Sequence, residues 1–198
     1  MSPVSERRPW NRNIHYHPLV LAAMPRGCKR ALDVGCGGGR LAAALADRCD
    51  DVIGIDADVP ALERARAAYS HPNLRFVHGD VMTYDDGSFD FISSIATVHH
   101  LPFEAAIHRF DHLLRPGGTL AVVGLYRLWT LSDIAWAHVG KAVSVWHSMT
   151  THREPVGAPI RDPNETLEEI QAGVRAMLPG AEFNRLLLFR YSIVWRKP

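Results

Sequence analysis

The feature that most constrains this 198-residue chain is Asp33-Val34-Gly35-Cys36-Gly37-Gly38-Gly39, a D-x-G-x-G-x-G run set between an apolar segment and a helical one. Lys29 to Val34 (KRALDV) reads as a strand and Arg40 to Arg48 (RLAAALADR) as a helix. Glycines between them let the backbone approach a ligand closely, and the first turn of the helix offers N–H groups with no partner inside it. The same run also serves as a plain strand-to-helix connection, so its surroundings decide. The nicotinamide fingerprint G-x-G-x-x-G would need a glycine where this chain has Arg40, which disfavours a dinucleotide oxidoreductase.

Beyond the glycines come Asp51 to Asp56 (DVIGID), helical Pro60 to Ala68, Asn73 to His78 (NLRFVH), Phe89 to Ile95 (FDFISSI), helical Phe103 to Leu114, and Gly118 to Gly124 (GTLAVVG). Strands alternating with helices predict an α/β, doubly wound sheet of parallel crossover units with helices on both faces. No repeat of 20–50 residues is visible. After Gly124 the pattern changes: residues 125–163 hold an apolar segment with Trp129, Trp136 and Trp146, then a loop from Thr150 to Pro163. Thr166 with Glu169 forms a capping-box pattern for a last helix that stops near Pro179-Gly180. Glu182 to Arg196 (EFNRLLLFRYSIVWR) predicts two strands joined abruptly near Phe189-Arg190, with no Gly or Asn to mark the turn.

Two carboxylates follow strands as the glycines do. Asp56 ends the second strand, where a carboxylate can accept from two ribose hydroxyls, and Asp80, in Val77-His78-Gly79-Asp80-Val81, can accept from an exocyclic adenine amine. Either alone reads as a cap or turn residue. Together with the glycines they put polar contacts at the carboxyl ends of neighbouring parallel strands, where open α/β sheets bind ligands.

Ala31 to Arg40 (ALDVGCGGGR), Val52 to Asp58 (VIGIDAD), Phe76 to Val81 (FVHGDV), Phe89 to Ser93 (FDFIS) and Leu113 to Leu120 (LLRPGGTL) resemble, in order, the motifs of class I S-adenosylmethionine-dependent methyltransferases. The resemblance covers about residues 29–124 and the terminal hairpin. It implies a Rossmann-like seven-stranded sheet of order 3-2-1-4-5-7-6 with strand 7 antiparallel, and S-adenosylmethionine as cofactor, leaving as S-adenosylhomocysteine. It further implies that Asp33 orients the methionine end, that Gly35, Cys36, Gly37 and Gly39 pass beneath it, and that Asp56 with Ala57 holds the ribose. Asp80 and Val81 would meet the adenine, and Ile95 would lie near the sulfonium. One domain over 1–198 is expected: an active-site cover (1–28), the cofactor core (29–124), a helical insertion or lid (125–163), and the last helix with its hairpin (164–198).

A sulfonium is already an activated leaving group, so such an enzyme mainly aligns acceptor, methyl and sulfur in line and excludes water. A base is needed only for a protonated acceptor. His99 and His100, in Ala96-Thr97-Val98-His99-His100-Leu101-Pro102, lie where the family's acceptor atom sits, and either a general-base or a packing role fits them. His15-Tyr16-His17 is the second candidate for acceptor contact, with Tyr16 its catalytic candidate and a surface loop the alternative.

The excluded classes narrow the acceptor. A formal charge of +1, from 22 Lys and Arg against 21 Asp and Glu, gives no field for nucleic acid, and the basic pairs Arg7-Arg8 and Arg196-Lys197 sit at the termini. ATVHH stands where amino-methylating DNA enzymes carry a D/N-P-P-Y-type motif, and no Cys stands next to Pro as cytosine C5 methylation requires. Ala96 to Pro102, after strand 4, supplies no acidic ligands, so no metal is expected. Cys28, Cys36 and Cys49 are odd in number and lack C-x-x-C spacing, which suits a reducing compartment. No apolar run reaches the roughly 18 residues of a membrane span and no leader pattern opens the chain, so a cytoplasmic protein is expected. Leu131 to Met149 is apolar around much of its circumference and reads as a core helix or a lid over a partly apolar small molecule. A metal-independent small-molecule methyltransferase leads. A cofactor-binding but non-catalytic partner subunit of the same fold is the alternative.

Overall fold

The computed structural model describes residues 9–130, 133, 136, 152–153 and 162–198. The basic pair Arg7-Arg8, the apolar stretch Leu131 to Met149 apart from Asp133 and Trp136, and most of the loop Thr150 to Pro163 lie outside the described residues.

Alternation of side chains between two apolar layers builds the sheet. In Arg30–Val34 (β1), Leu32 and Val34 face one layer and Ala31 the other; in Asp51–Asp56 (β2), Ile53 and Ile55 oppose Val52. Phe89–Ile95 (β4) splits Phe89 and Ile92 from Phe91 and Ile95, and Leu114–Leu125 (β5) splits Leu120 and Val122 from Ala121 and Val123. Strands apolar on both faces belong in the middle of a parallel sheet, because each face must be covered. With Leu74–His78 (β3), Glu182–Leu186 (β6) and Arg190–Arg196 (β7), the order is β3-β2-β1-β4-β5-β7-β6, as the resemblance implies. β7 runs antiparallel to both neighbours, and the remaining pairs are parallel.

The helices divide between the two faces. His17–Ala23 (α1), Arg40–Ala46 (α2) and Val59–Ala68 (α3) bring Val20, Leu41, Leu45 and Leu62 onto the Ala31, Phe91 and Val123 side. Phe103–Leu113 (α4) and Leu167–Met177 (α5) bring Phe103, Ile107, Phe110, Ile170 and Val174 onto the Leu32, Ile92 and Val122 side. Each large side chain buried this way stabilises the fold by about 1.5–3 kcal/mol. The capping box at α5 forms as expected, with Glu169 N–H donating to Thr166 Oγ1 and Thr166 N–H to Glu169 Oε2.

The β6–β7 hairpin turns on Leu188 (φ 60°) and Phe189 (φ 62°), two left-handed residues of the kind a type I′ turn demands. Side chains with a Cβ pay roughly 1–2 kcal/mol each for that conformation. Contacts that no turn motif announces offset it. Leu188 is buried in the α1–α2 layer, the Tyr16 hydroxyl donates to Leu187 O at 2.7 Å, and Arg190 Nη1 donates to Leu188 O at 2.8 Å.

Gly124, in β5, lies opposite Tyr191 in β7, and a Cβ built on it would come 2.2 Å from the Tyr191 hydroxyl oxygen. Tyr191 is fully buried and has no room to withdraw. Gly124→Ala should therefore destabilise the protein by about 1–3 kcal/mol, read as a lower urea midpoint with an unchanged slope.

Candidate active site

The glycine run is pinned to the end of β2 by three of its own backbone donors. Gly35 and Cys36 N–H groups both donate to Ile55 O, at 2.8 and 3.1 Å. The Asp56 carboxylate takes Gly37 N–H on Oδ2 at 2.7 Å and Asp58 N–H on Oδ1 at 2.8 Å. The two ends of the run are packed: a Cβ on Gly35 would sit 1.9 Å from Thr97 Oγ1, and one on Gly39 2.6 Å from the Phe76 ring. The middle is different. A Cβ on Gly37 or Gly38 would meet nothing within 4 Å, so this stretch presents bare backbone to open space just before the N-terminus of α2. Cys36 turns its thiol inward, against the space that Gly54 leaves by lacking a side chain, and burial pushes that thiol well above its ordinary range.

Asp33 is buried beneath the run, 2% exposed. It accepts from Ser93 Oγ at 2.8 Å and from the backbone N–H of Ala42 in α2, and so ties β1 to β4 and to the helix. Burial pushes its carboxyl up to about 7; Ser93 and the Ala42 N–H pull the other way, and the Asp56 charge adds to the rise. Asp80, exposed after β3, accepts Met82 N–H on Oδ1 at 2.9 Å, while its carbonyl takes the N–H groups of Thr83 and Tyr84. Val81 is buried in the α4 layer, Ala57 is exposed beside Asp56, and Ile95 is buried at the end of β4.

Beyond β4, Ala96 adopts φ 56° while its N–H donates to Val123 O at 2.8 Å. This sharp bend sets Thr97 over Gly35 and starts the single 3₁₀ turn Val98–His100. His99 is buried, His100 half-buried, and their rings lie 4.0 Å apart.

The N-terminal segment reaches the same edge of the sheet. Asn11 Oδ1 takes the N–H groups of Asn13 and Ile14, folding the chain into the turn that carries Tyr16. Tyr16 is buried, and burial pushes its hydroxyl up to about 12, with Arg190 opposing and Tyr126 adding. His17 is held down to about 4 by burial and secondarily by the Arg40 charge, so it is neutral at pH 7. Past β5, the Tyr126 hydroxyl accepts from Arg185 Nε at 3.1 Å, and Arg185 pairs with Asp133 at 2.8 Å.

Sequence reasoning singled out neither Ser93, Thr97, Tyr126 nor Arg190. Ser93 and Ser94 interrupt the buried run Phe91 to Ile95 of β4, and Arg190 opens a strand; a charged or polar residue at a core register was the available signal. Among the described residues no three His, Cys, Asp or Glu side chains come together as a metal site. The three cysteines are free thiols, with Cys28 and Cys49 touching, Sγ to Sγ 2.8 Å, at the entrances of β1 and β2.

Asp33 makes a testable statement about pH. A carboxyl near 7 when folded and near 3.9 when unfolded keeps its proton in the native state alone between those values, so its contribution to stability falls as pH rises from about 4 to about 7 and is flat above. Asp33→Asn keeps an acceptor for Ser93 and cannot ionise. Relative to the parent it should gain roughly 2–4 kcal/mol at pH 8 and little at pH 4.5, measured by urea unfolding at both values.

Comparison with known proteins agrees with this geometry. A family described as a methyltransferase domain matches residues 32–122, from β1 through β5. An uncharacterized methyltransferase of Mycobacterium tuberculosis is 40% identical over 200 residues, spanning 96% of this chain and 98% of the relative. A trans-aconitate 2-methyltransferase of Deinococcus radiodurans is 41% identical over 96 residues, 47% of this chain and 36% of that protein. The crystal structure of the N-methyltransferase NodS from Bradyrhizobium japonicum in complex with S-adenosylhomocysteine superposes with a TM-score of 0.64 at 16% identity, over 93% of this chain and 87% of that one, and so shares the fold. Strand order, the strand-to-helix glycine run and near full-length similarity lead to one conclusion: the chain belongs to the class I S-adenosylmethionine-dependent methyltransferases.

Proposed function

We propose that this protein, as a single domain, transfers the methyl group of S-adenosylmethionine to a small-molecule acceptor, by in-line displacement and without a metal. The observation that carries the cofactor half is the bare backbone at Gly37 and Gly38, open on one side and held on the other by the Asp56 carboxylate. The residues present fit the group. Each Asp56 oxygen accepts one N–H and keeps a lone pair for a ribose hydroxyl, with Ala57 exposed beside it. Asp80 and Val81 are the candidates for the adenine. Asp33, Gly35, Cys36, Gly37 and Gly39 are those for the methionine end, and Ile95 for the neighbourhood of the sulfur. When bound, S-adenosylmethionine supplies an electrophilic methyl on a good leaving group, and the protein's part is alignment and dryness.

On the acceptor side the candidates are His99, His100 and Tyr16. The 3₁₀ turn that carries the histidines and the segment that carries Tyr16 both adjoin the carboxyl edge of the sheet. The 125–163 insertion, as a lid, would exclude water there. A small acceptor is supported by the name of the trans-aconitate relative and by the near-zero net charge, which gives nucleic acid no attraction. Among the described residues no helix is long and apolar enough to cross a membrane, and the proposed location is the cytoplasm.

Calorimetry with S-adenosylhomocysteine and a methyl-transfer assay with purified protein test the two halves. The parent should bind. Asp56→Ala should weaken binding roughly tenfold or more, since a charge-assisted hydrogen bond contributes about 1.5–3 kcal/mol. Gly37→Val should weaken it further, because its side chain enters space with no protein atom within 4 Å, while the left-handed backbone there (φ 51°) adds local strain that urea unfolding of the variant reads separately. Unchanged affinity in both folded variants would show the glycine run to be a structural turn only. Transfer by the protein alone to any small acceptor excludes the regulatory-subunit alternative. Binding of the cofactor with no transfer across a broad acceptor panel would favour it.

A further inference from the structure

Four arginines tie the sheet and its margins together, and one of them has no anionic partner among the described residues. Arg30 pairs with Asp51 and Asp86, Arg115 with Asp90, and Arg185 with Asp133. Arg190 is 5% exposed, yet its hydrogen bonds go only to neutral acceptors, Nη1 to Leu188 O and Nη2 to Asn13 Oδ1, and its Nε has no acceptor. The side chains that act on its charge are the Tyr16 hydroxyl and a second cation, Arg12, whose guanidinium lies over the Phe189 ring. Burial, with Arg12, holds it down to about 10, so it remains charged at pH 7.

The fold alone does not account for that charge. Bracing Leu188 O and Asn13 needs two N–H donors and no net positive charge. A buried cation without an anion, beside another cation, is costly. The Nε and Nη2 edge of a guanidinium presents two parallel N–H groups that match the two oxygens of a carboxylate, and here Nε is buried without an acceptor and Nη2 has a second N–H to give. The position suits an acceptor. Arg190 pairs with Leu125 at the carboxyl end of β5, and β5 lies beside β4, whose end leads to His99 and His100. Two strand spacings separate Arg190 from β4, about 10 Å, a gap that an arginine side chain and a small organic acid bridge together.

We propose that Arg190 anchors a carboxylate of the methyl acceptor, which makes the acceptor a small carboxylic acid. This rests on the methyltransferase reading above and narrows its substrate class.

The test titrates di- and tricarboxylic acids of three to six carbons, their amides, and inorganic phosphate into protein saturated with S-adenosylhomocysteine, by calorimetry and thermal shift. At least one acid should bind the parent at least tenfold more tightly than its amide and raise its Tm. Arg190→Gln should abolish that preference while leaving S-adenosylhomocysteine affinity unchanged. Arg190→Lys, which keeps the charge and loses the fork, should retain only part of it, and it carries the test if the Gln variant does not fold. Acids binding no better than amides, phosphate binding in their place, or a preference that survives in the folded variants would overturn the proposal. Failure of S-adenosylhomocysteine to bind the parent would instead count against the cofactor reading, and the same titrations into the protein alone would then judge Arg190 by themselves.

Discussion

The Asp56 carboxylate is the contact on which the site depends. It closes β2, takes the N–H of Gly37 across the gap to the glycine run and the N–H of Asp58 ahead of α3. A turn of seven residues with four glycines would otherwise sample many conformations, because glycine loses the most backbone freedom on ordering. Ile55 O fixes its start, Asp56 its middle, and the contact of Gly39 with Phe76 its end. Only the stretch at Gly37 and Gly38 is left without protein against it. The same carboxylate therefore preorganises the backbone and retains lone pairs toward the ligand side.

Asp33 shows how the layer below supports this arrangement. Its bonds to Ser93 and to the Ala42 N–H join β1, β4 and α2 beneath the run, at the expense of a buried carboxyl whose proton is held up to neutral pH. Thr97 performs a similar service from above, filling the volume that Gly35 leaves empty. The glycine run is thus held from three strands, and the bend at Ala96 couples it to the turn that carries His99 and His100.

Much of this was legible in the sequence where local pattern and tertiary role agree. β2 and β4 appear with the bounds read from their apolar runs, because polar residues and turns close both ends. β5 runs back to Leu114, four residues before the predicted start, since Leu114 already pairs with Phe89 and pairing resumes at Thr119 opposite Phe91 across a register shift, with left-handed Gly117 (φ 77°) in the intervening stretch. The hairpin was predicted with its turn near Phe189, but its chemistry was hidden: left-handed Leu188 and Phe189 are held by Tyr16 and Arg190, contacts separated by more than 170 residues along the chain for the Tyr16 bond. Asp56 and the glycines were readable because a motif carries them. Ser93, Thr97 and Arg190 were not, because their meaning comes from which side chain the fold sets opposite them.

The most direct measurement is a crystal structure of the protein with S-adenosylhomocysteine. The account predicts the ribose hydroxyls within hydrogen-bond distance of the Asp56 oxygens, the methionine portion over Gly37 and Gly38, and the sulfur on the side of the His99–His100 turn. The ligand bound elsewhere, or Asp56 keeping only its two backbone partners while the ribose faces solvent, would contradict it.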